Sequence, residues 1–129
     1  MKSVLPILIS GILAVAAQAA PLPSDCSGVA SWYGEEHRGR LMANRQPFDP
    51  DKLTAASWFY PLGTRVRVTL KSTRPQETPP SVVVVVTDRG PAKYLVRKGR
   101  KIDLSAAAFA QLAQRELGLV EVTIVPVSD

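Results

Sequence analysis

Hydrophobic and polar positions alternate in several short stretches of the chain, as in strands that have one face on a core. Thr64 to Leu70 alternates most regularly, Gly28 to Tyr33 alternates small and large residues, and Leu119 to Val127 ends the chain in a similar way. Ser81 to Thr87 differs because it holds five consecutive valines, residues 82–86, which predict a strand buried on both faces. The pattern therefore predicts four strands.

Helical spacing appears in one longer segment. Apolar residues recur at helical intervals from Leu104 to Leu117, with Asp103 or Ser105 as the N-cap and Gly118 as the stop. A shorter helical turn is predicted over residues 49–57, which begin with an aspartate and a proline in the order typical of an N-cap and a first helical position. Strands outnumber helices, so the predicted class is mainly β, a small barrel with one packed helix.

The first residues have the composition of a secretion signal. An apolar run from Val4 to Ala17 leads into a small-x-small pattern at residues 17–19. The run is shorter than the roughly 20 apolar residues of a membrane span, although an uncleaved anchor is the alternative. We expect residues 1–19 to be a signal peptide, 20–27 a flexible leader, and 28–129 one domain. The mature protein is expected to be a monomer in the periplasm or cell envelope, free of the membrane.

The amino-acid composition limits the classes of partner and cofactor that the protein is expected to bind. A formal charge of +5 favours an anionic partner such as a cell-wall polymer. Nucleic acid is not expected, because the chain lacks basic runs interleaved with aromatics and because export argues against it. The single cysteine, Cys26, excludes an intrachain disulfide, and the residues before it are not those expected ahead of a lipidated cysteine. One histidine and one cysteine make no metal-ligand cluster, so neither a metal nor a cofactor is expected.

Candidate chemistry is therefore carried by carboxylates, above all Asp88. It follows the valine strand and precedes a Gly90-Pro91 turn, and rigid strand ends of this kind place reactive groups. A carboxyl against an apolar strand end is partly desolvated, which favours the protonated form that a general acid needs. The adjacent Arg89 opposes this effect. The alternative roles are structural: Asp88 as a turn cap or arginine partner, and Asp103 as a helix N-cap.

Five motifs, taken together, resemble one family. They are GVASWYG (28–34), PFDPDKLTAAS (47–57), PLGTRVRVT (61–69), VVVTDRGP (84–91) and KIDLSAAAF (101–109). In this order they resemble the rare lipoprotein A family over residues 28–127. The members of that family are exported septal lytic transglycosylases with a six-stranded double-psi β-barrel, which is also similar to the catalytic domain of plant expansins.

The resemblance implies an activity on peptidoglycan glycan strands. Such enzymes cleave the β-1,4 bond between N-acetylmuramic acid and N-acetylglucosamine, and the muramic 6-hydroxyl closes a 1,6-anhydro end. This chemistry needs one acid/base group rather than the carboxylate pair of ordinary retaining glycosidases. By resemblance, Asp88 is the proton donor, and Tyr33 and Asp103 line the substrate groove.

Two positions depart from the family pattern. Gln46 replaces the glutamate of a Ser-Gly-Glu-x-Phe-Asp motif, and Ser57 replaces a histidine after Thr-Ala-Ala. Neither side chain serves as an acid or base, but both can hydrogen-bond a sugar, so we expect both in the same groove as the other three residues. Two alternatives stay open: a non-catalytic module that binds or loosens the wall, and a secreted inhibitor or interaction domain, since fold does not fix function.

Basic residues separate the two motif aspartates. If they line the groove, the protein should prefer glycan stripped of its peptides, which exposes the lactyl carboxylate of each muramic acid. The alternative is a solvated basic face that points away from the groove. The residues are Arg89, Lys93, Arg97, Lys98, Arg100 and Lys101.

Overall fold

The computed structural model of the protein describes residues 24–74 and 77–128. Six strands form a closed barrel in the order β1-β5-β2-β4-β3-β6. They are β1 (Cys26–Tyr33), β2 (Thr54–Ala56), β3 (Arg65–Leu70), β4 (Ser81–Asp88), β5 (Arg100–Ser105) and β6 (Val120–Pro126). This architecture confirms the predicted six-stranded, mainly β fold. The predicted signal peptide lies outside the described residues, and β1 begins within the segment predicted to be a leader.

The pairing pattern explains how a chain this short closes a barrel. Strand β1 pairs in parallel with β5, and β2 pairs in parallel with β4. The other neighbours are antiparallel, and β6 lies between β1 and β3. Every strand thus has two partners, which removes the open edges that invite aggregation.

The barrel interior is filled by aliphatic side chains. In β3 the predicted alternation is confirmed, because Val66 and Val68 are fully buried while Arg65 and Arg67 are exposed. Strand β4 does not have the predicted burial on both faces. Its first, third and fifth valines (82, 84 and 86) are buried in the core, whereas the two between them are half-buried. A closed barrel has one inner face, and the outer face of β4 keeps partial contact with solvent.

The predicted helical turn over residues 49–57 is wrong in part. The Asp49 carboxylate does accept a hydrogen bond from the Asp51 amide (2.9 Å), as an N-cap would. No helix follows, and Thr54–Ala56 instead forms β2, held between β4 and β5. Pairing on both sides stabilises a three-residue strand that local preference does not favour.

The long helix predicted from Leu104 to Leu117 is also corrected. Its beginning belongs to β5, and the helical part is α2, Ala106–Ala110, followed by a 3₁₀ turn at Arg115–Leu117. Ser105, not Asp103, is the N-cap. Helix α2 buries Phe109 in the core.

The basic segment predicted as a loop contains a second short helix, α1, Lys93–Val96. In the part of the chain that the structure describes, no helix has the length and apolar character needed to cross a membrane.

Candidate active site

Asp88 and Asp103 lie in one row across the outer face of the barrel. Asp88 ends β4, Asp103 lies in β5, and Ala56 at the end of β2 is the register partner of both. Since adjacent strands are about 4.8 Å apart, the two aspartate backbones are roughly 10 Å apart, with only a methyl group between them. Asp103 faces outward because its neighbours Ile102 and Leu104 are in the core.

This row forms the floor of a cavity of about 310 Å³. Residues from the loop between β1 and β2 form the opposite wall. The full lining is Tyr33, His37, Arg40, Leu41, Met42, Phe48, Ala56, Asp88, Arg89 and Asp103. The mixture of carboxyl, basic and aromatic groups suits a polar ligand with an apolar face.

The Asp88 carboxyl is held by two backbone donors. Its Oδ1 accepts hydrogen bonds from the amide nitrogens of Ala43 (2.9 Å) and Arg89 (2.8 Å). The Arg89 guanidinium donates instead to the carbonyl oxygens of Ser57 (2.8 Å) and Tyr60 (2.6 Å). Asp88 thus caps the turn that follows it, which is the structural role considered above as an alternative. Its side chain also lines the cavity.

Asp103 accepts a hydrogen bond from the Ser31 hydroxyl at 2.9 Å. Burial raises its pKa above the ordinary value, and the negative charge of Asp88 adds to the rise. The Ser31 hydrogen bond and the positive charges of Arg100 and His37 act in the opposite direction without cancelling it. The carboxyl therefore retains its proton to higher pH than a solvated aspartate.

Tyr33 ends β1 with its ring stacked on Phe48, the centroids being 4.2 Å apart, and in edge contact with His37 at 5.7 Å. Its hydroxyl oxygen is buried and has no hydrogen-bond partner among the described residues. Burial, followed by the charges of Asp88 and Asp103, raises the Tyr33 pKa. The hydroxyl therefore stays protonated, and none of the described residues accepts its proton.

The structure brings together three of the five predicted site residues: Tyr33, Asp88 and Asp103. Gln46 lines a neighbouring depression of about 250 Å³ that shares Met42 with the cavity.

Ser57 is fully buried, and its Oγ accepts a hydrogen bond from the Phe59 amide at 3.0 Å. It follows the outward-facing Ala56, so its side chain turns inward, away from the cavity lining.

The cavity also contains residues that the sequence did not single out as site residues, chiefly His37 and Arg40. The Nδ1 atom of His37 and a guanidinium nitrogen of Arg40 are 2.7 Å apart. His37 lies four residues after Tyr33 in a 3₁₀ turn, Glu35–His37, that folds back directly after β1. In the sequence, closeness to Tyr33 is the only indication that His37 belongs to the site. The polar composition of the segment instead indicates an exposed loop.

Among residues 24–74 and 77–128 there is no group of three or more His, Cys, Asp or Glu side chains arranged to hold a metal ion.

Comparison with known proteins places the chain in a family. The family model described as lytic transglycolase matches residues 25–124, which include all six strands except the end of β6. The chain belongs to the lytic transglycolase family. RlpA proteins are among its relatives, which confirms the resemblance to the rare lipoprotein A family.

Relatives within the lytic transglycolase family include much longer proteins. A probable endolytic peptidoglycan transglycosylase RlpA from Synechocystis is 42% identical over 75% of this chain and 27% of its own length. The endolytic peptidoglycan transglycosylase RlpA of Yersinia pestis is 47% identical over 66% of this chain and 21% of its own. The chain thus spans about a quarter of these relatives. An uncharacterised Synechocystis protein, ssl3177, is 42% identical over 74% of this chain and 91% of its own.

Solved structures share the barrel. The Streptomyces papain inhibitor is 26% identical, with a TM-score of 0.61 over 85% of this chain and all of its own. A Clavibacter michiganensis expansin is 24% identical, with a TM-score of 0.58 over 81% of this chain and 51% of its own. These likenesses support the double-psi form of the barrel.

Proposed function

We propose that this protein is an exported lytic transglycosylase that cleaves the N-acetylmuramic acid to N-acetylglucosamine β-1,4 bond of peptidoglycan, with Asp88 as the acid and base. The observation that carries the proposal is the row Asp88–Ala56–Asp103 on the floor of a cavity, in a chain of the lytic transglycolase family. The named relatives that support it are peptidoglycan transglycosylases.

One carboxyl group is enough for this reaction. Protonated Asp88 donates its proton to the glycosidic oxygen as the bond from that oxygen to the muramic C1 breaks. The muramic 6-hydroxyl forms the new bond to C1, and its proton passes to the Asp88 carboxylate, which restores the starting acid. The product ends in 1,6-anhydro-muramic acid, and no water is consumed. The two amide donors on Oδ1 fix the carboxyl group, which is the positioning that proton transfer requires.

Asp103 and Tyr33 bind the sugar in this scheme. The Asp103 carboxyl offers acceptor oxygens to sugar hydroxyls, and the protonated hydroxyl of Tyr33 offers a donor to a sugar oxygen. The stacked pair of Tyr33 and Phe48 offers an apolar wall to the pyranose ring. Gln46 would contact a neighbouring sugar from the adjacent depression. Ser57 would act through the backbone, since its amide donates to the Asp88 carbonyl oxygen at 3.0 Å.

Basic groups near the cavity favour peptide-stripped glycan. Arg89 and Arg40 line the cavity, and the charge of Arg100 acts on Asp103. Stripped strands carry free lactyl carboxylates, which these groups would attract. We propose that the mature protein acts as a monomer in the periplasm or cell envelope.

A second candidate is a barrel that binds or loosens the wall without cleaving it. Two observations favour it: the replacement of the family glutamate and histidine by Gln46 and Ser57, and the burial of Ser57. Catalysis that needed three titratable groups would fail here, whereas glycan binding in the cavity would persist.

The deciding experiment digests sacculi with the mature protein and measures anhydro-muropeptides by mass spectrometry. Asp88→Asn should lower product formation by about 10²- to 10⁴-fold, the usual contribution of a general acid or base, with retention on sacculi unchanged. Asp51→Asn is the matched control, because Asp51 is exposed and pairs with Arg38 outside the cavity. Retention without anhydro product from the wild-type protein would establish the second candidate. Absence of both would refute both candidates.

A further inference from the structure

Two large aromatic side chains lie exposed beside the cavity. Trp58 is 43% exposed and Phe59 is 42% exposed, and they follow β2 immediately after the buried Ser57. Adjacent exposed aromatic rings are uncommon on a surface that has no partner, because their apolar area is left in water. The proposed cleavage chemistry uses neither ring.

The Trp58 ring and the backbone on both sides of the aromatic pair are anchored by hydrogen bonds. The Trp58 indole nitrogen donates to the Pro91 carbonyl oxygen at 2.7 Å. Arg89, which lines the cavity, donates to the carbonyls of Ser57 and Tyr60, the residues on either side of the aromatic pair. Residues 89–91, which follow Asp88, therefore hold the Trp58 indole and the backbone that carries both rings.

Two lysines cover this aromatic surface. The Lys93 ammonium lies 4.8 Å from the centroid of the Trp58 ring, and the Lys101 ammonium lies 4.8 Å from that of Phe59. Lys101 precedes Asp103 by two residues in β5, so both point to the outer face, about 7 Å apart along the strand. The lysine–aromatic surface is thus continuous with the floor of the cavity.

We propose that Trp58, Phe59, Lys93 and Lys101 form a second glycan subsite, which holds an acidic sugar residue of the strand whose neighbour occupies the Asp88 cavity. The apolar face of the pyranose packs on the rings, and its carboxylate pairs with a lysine. The proposal rests on the proposed function and deepens it, because it locates the preference for free muramic carboxylates in two named side chains. Positive charge placed over the rings favours an acidic sugar over a neutral one.

The fluorescence of Trp58 provides a direct test. The chain has two tryptophans, so Trp32→Phe leaves Trp58 as the only indole reporter. Asp88→Asn in the same protein prevents turnover during titration. We expect a saturable change in Trp58 emission with peptide-free oligosaccharides of alternating N-acetylglucosamine and N-acetylmuramic acid. Chitin oligosaccharides of equal length, which have no carboxylate, should bind about tenfold more weakly.

Lysine variants test the charge. The double variant Lys93→Ala/Lys101→Ala should bind the acidic oligosaccharide about tenfold more weakly and the chitin oligosaccharide less than twofold more weakly. Phe59→Ala should weaken binding of both. The matched control is Arg115→Ala in the same reporter protein. It removes a cation that in the native chain lies 5.7 Å from a different ring, that of residue 32, and it should change neither affinity.

Each outcome is decisive. Acidic oligosaccharide binding with no change in Trp58 emission, or with equal affinity in the double lysine variant, overturns the subsite. If the wild-type protein still releases anhydro products, the proposed function survives that failure. If neither oligosaccharide binds and no product forms, the subsite and the proposed function fail together.

Discussion

Asp103 lies in the floor of the cavity, where burial raises its pKa above the ordinary value of 3.8. A raised acid pKa means that the folded state holds the proton more tightly than the unfolded chain. The free energy of unfolding therefore decreases as pH rises from about 3.8 through the higher folded pKa, and that decrease persists at neutral pH. Asp103 thus costs stability in the range where the site would work, as functional groups often do.

This argument predicts the behaviour of Asp103→Asn. The amide keeps an oxygen to accept the Ser31 hydrogen bond but never ionises, so the variant should have a higher melting temperature than the wild type at pH 7. The difference should shrink as pH falls towards the ordinary carboxyl pKa. Thermal denaturation across pH 3–8 would show this, and a difference independent of pH would contradict the burial of the charge.

Arg45 has a φ of 69°, in the left-handed region, which a side chain other than glycine enters at a cost of about 1–2 kcal/mol. It occupies the glycine position of the family motif, so the loop keeps a conformation that suits glycine. Arg45→Gly should stabilise the protein by about 0.5 kcal/mol, after subtracting the greater freedom of glycine in the unfolded chain. Arg97→Gly is the control in urea denaturation: Arg97 has a φ of −64°, and its replacement should destabilise instead.

At the scale of elements, Ser105 joins β5 and α2 to the loop that precedes β2. Ser105 is the last residue of β5 and the N-cap of α2. Its hydroxyl oxygen accepts a hydrogen bond from the Ala108 amide (3.2 Å), and the hydroxyl donates one to the Lys52 carbonyl oxygen (2.6 Å). Ser105→Ala should lower the free energy of unfolding by about 2 kcal/mol, from the lost cap and the unpaired carbonyl. The exposed Ser27 provides the comparison, and Ser27→Ala should change stability by less than about 0.5 kcal/mol in the same denaturant titration.

The elements also show what the sequence could predict. Strand β3 was predictable because each residue faces either the core or water, so its pattern and burial agree. Strand β2 was not, since three residues carry too little pattern and its partners β4 and β5 are distant in sequence. Likewise the sequence predicts that the helix begins at Leu104, which belongs to β5, because Leu104 and the apolar residues of α2 share one helical periodicity.

In the candidate site too, residues in strand motifs were predictable, whereas residues positioned by a loop were not. Asp88, Asp103 and Tyr33 came from family motifs on strands, and strand register brings them to one cavity. His37 and Arg40 reach that cavity through a loop that is held by longer-range contacts. Arg38 pairs with Asp49 and Asp51, which lie 11 and 13 residues further along the chain, and local sequence does not specify such contacts. Gln46 was placed by motif alone, and the loop carries it to the next depression.

At the scale of the whole molecule, the closed barrel has an inner face and an outer face. Two neighbouring valines of β4 test which residues lie on each face. Val84 is fully buried opposite Val66, so Val84→Asp should unfold the protein: an unpaired buried charge costs several kcal/mol against a total stability of about 5–15 kcal/mol. Val83 is half-buried opposite the exposed Arg67, so Val83→Asp gains an opposite charge across the strands and should stay folded. Circular dichroism of the two variants would distinguish them, and equal unfolding would contradict the assigned faces.

Strand β6 completes the barrel by pairing with β1 on one side and β3 on the other. A nascent chain therefore cannot close the barrel until β6 has left the ribosome, long after β1 has been synthesised. Pairing over such sequence distances is slow, and meanwhile β1 and β3 expose unpaired edges. A premature stop before Val120 would yield an open sheet prone to self-association rather than a smaller barrel.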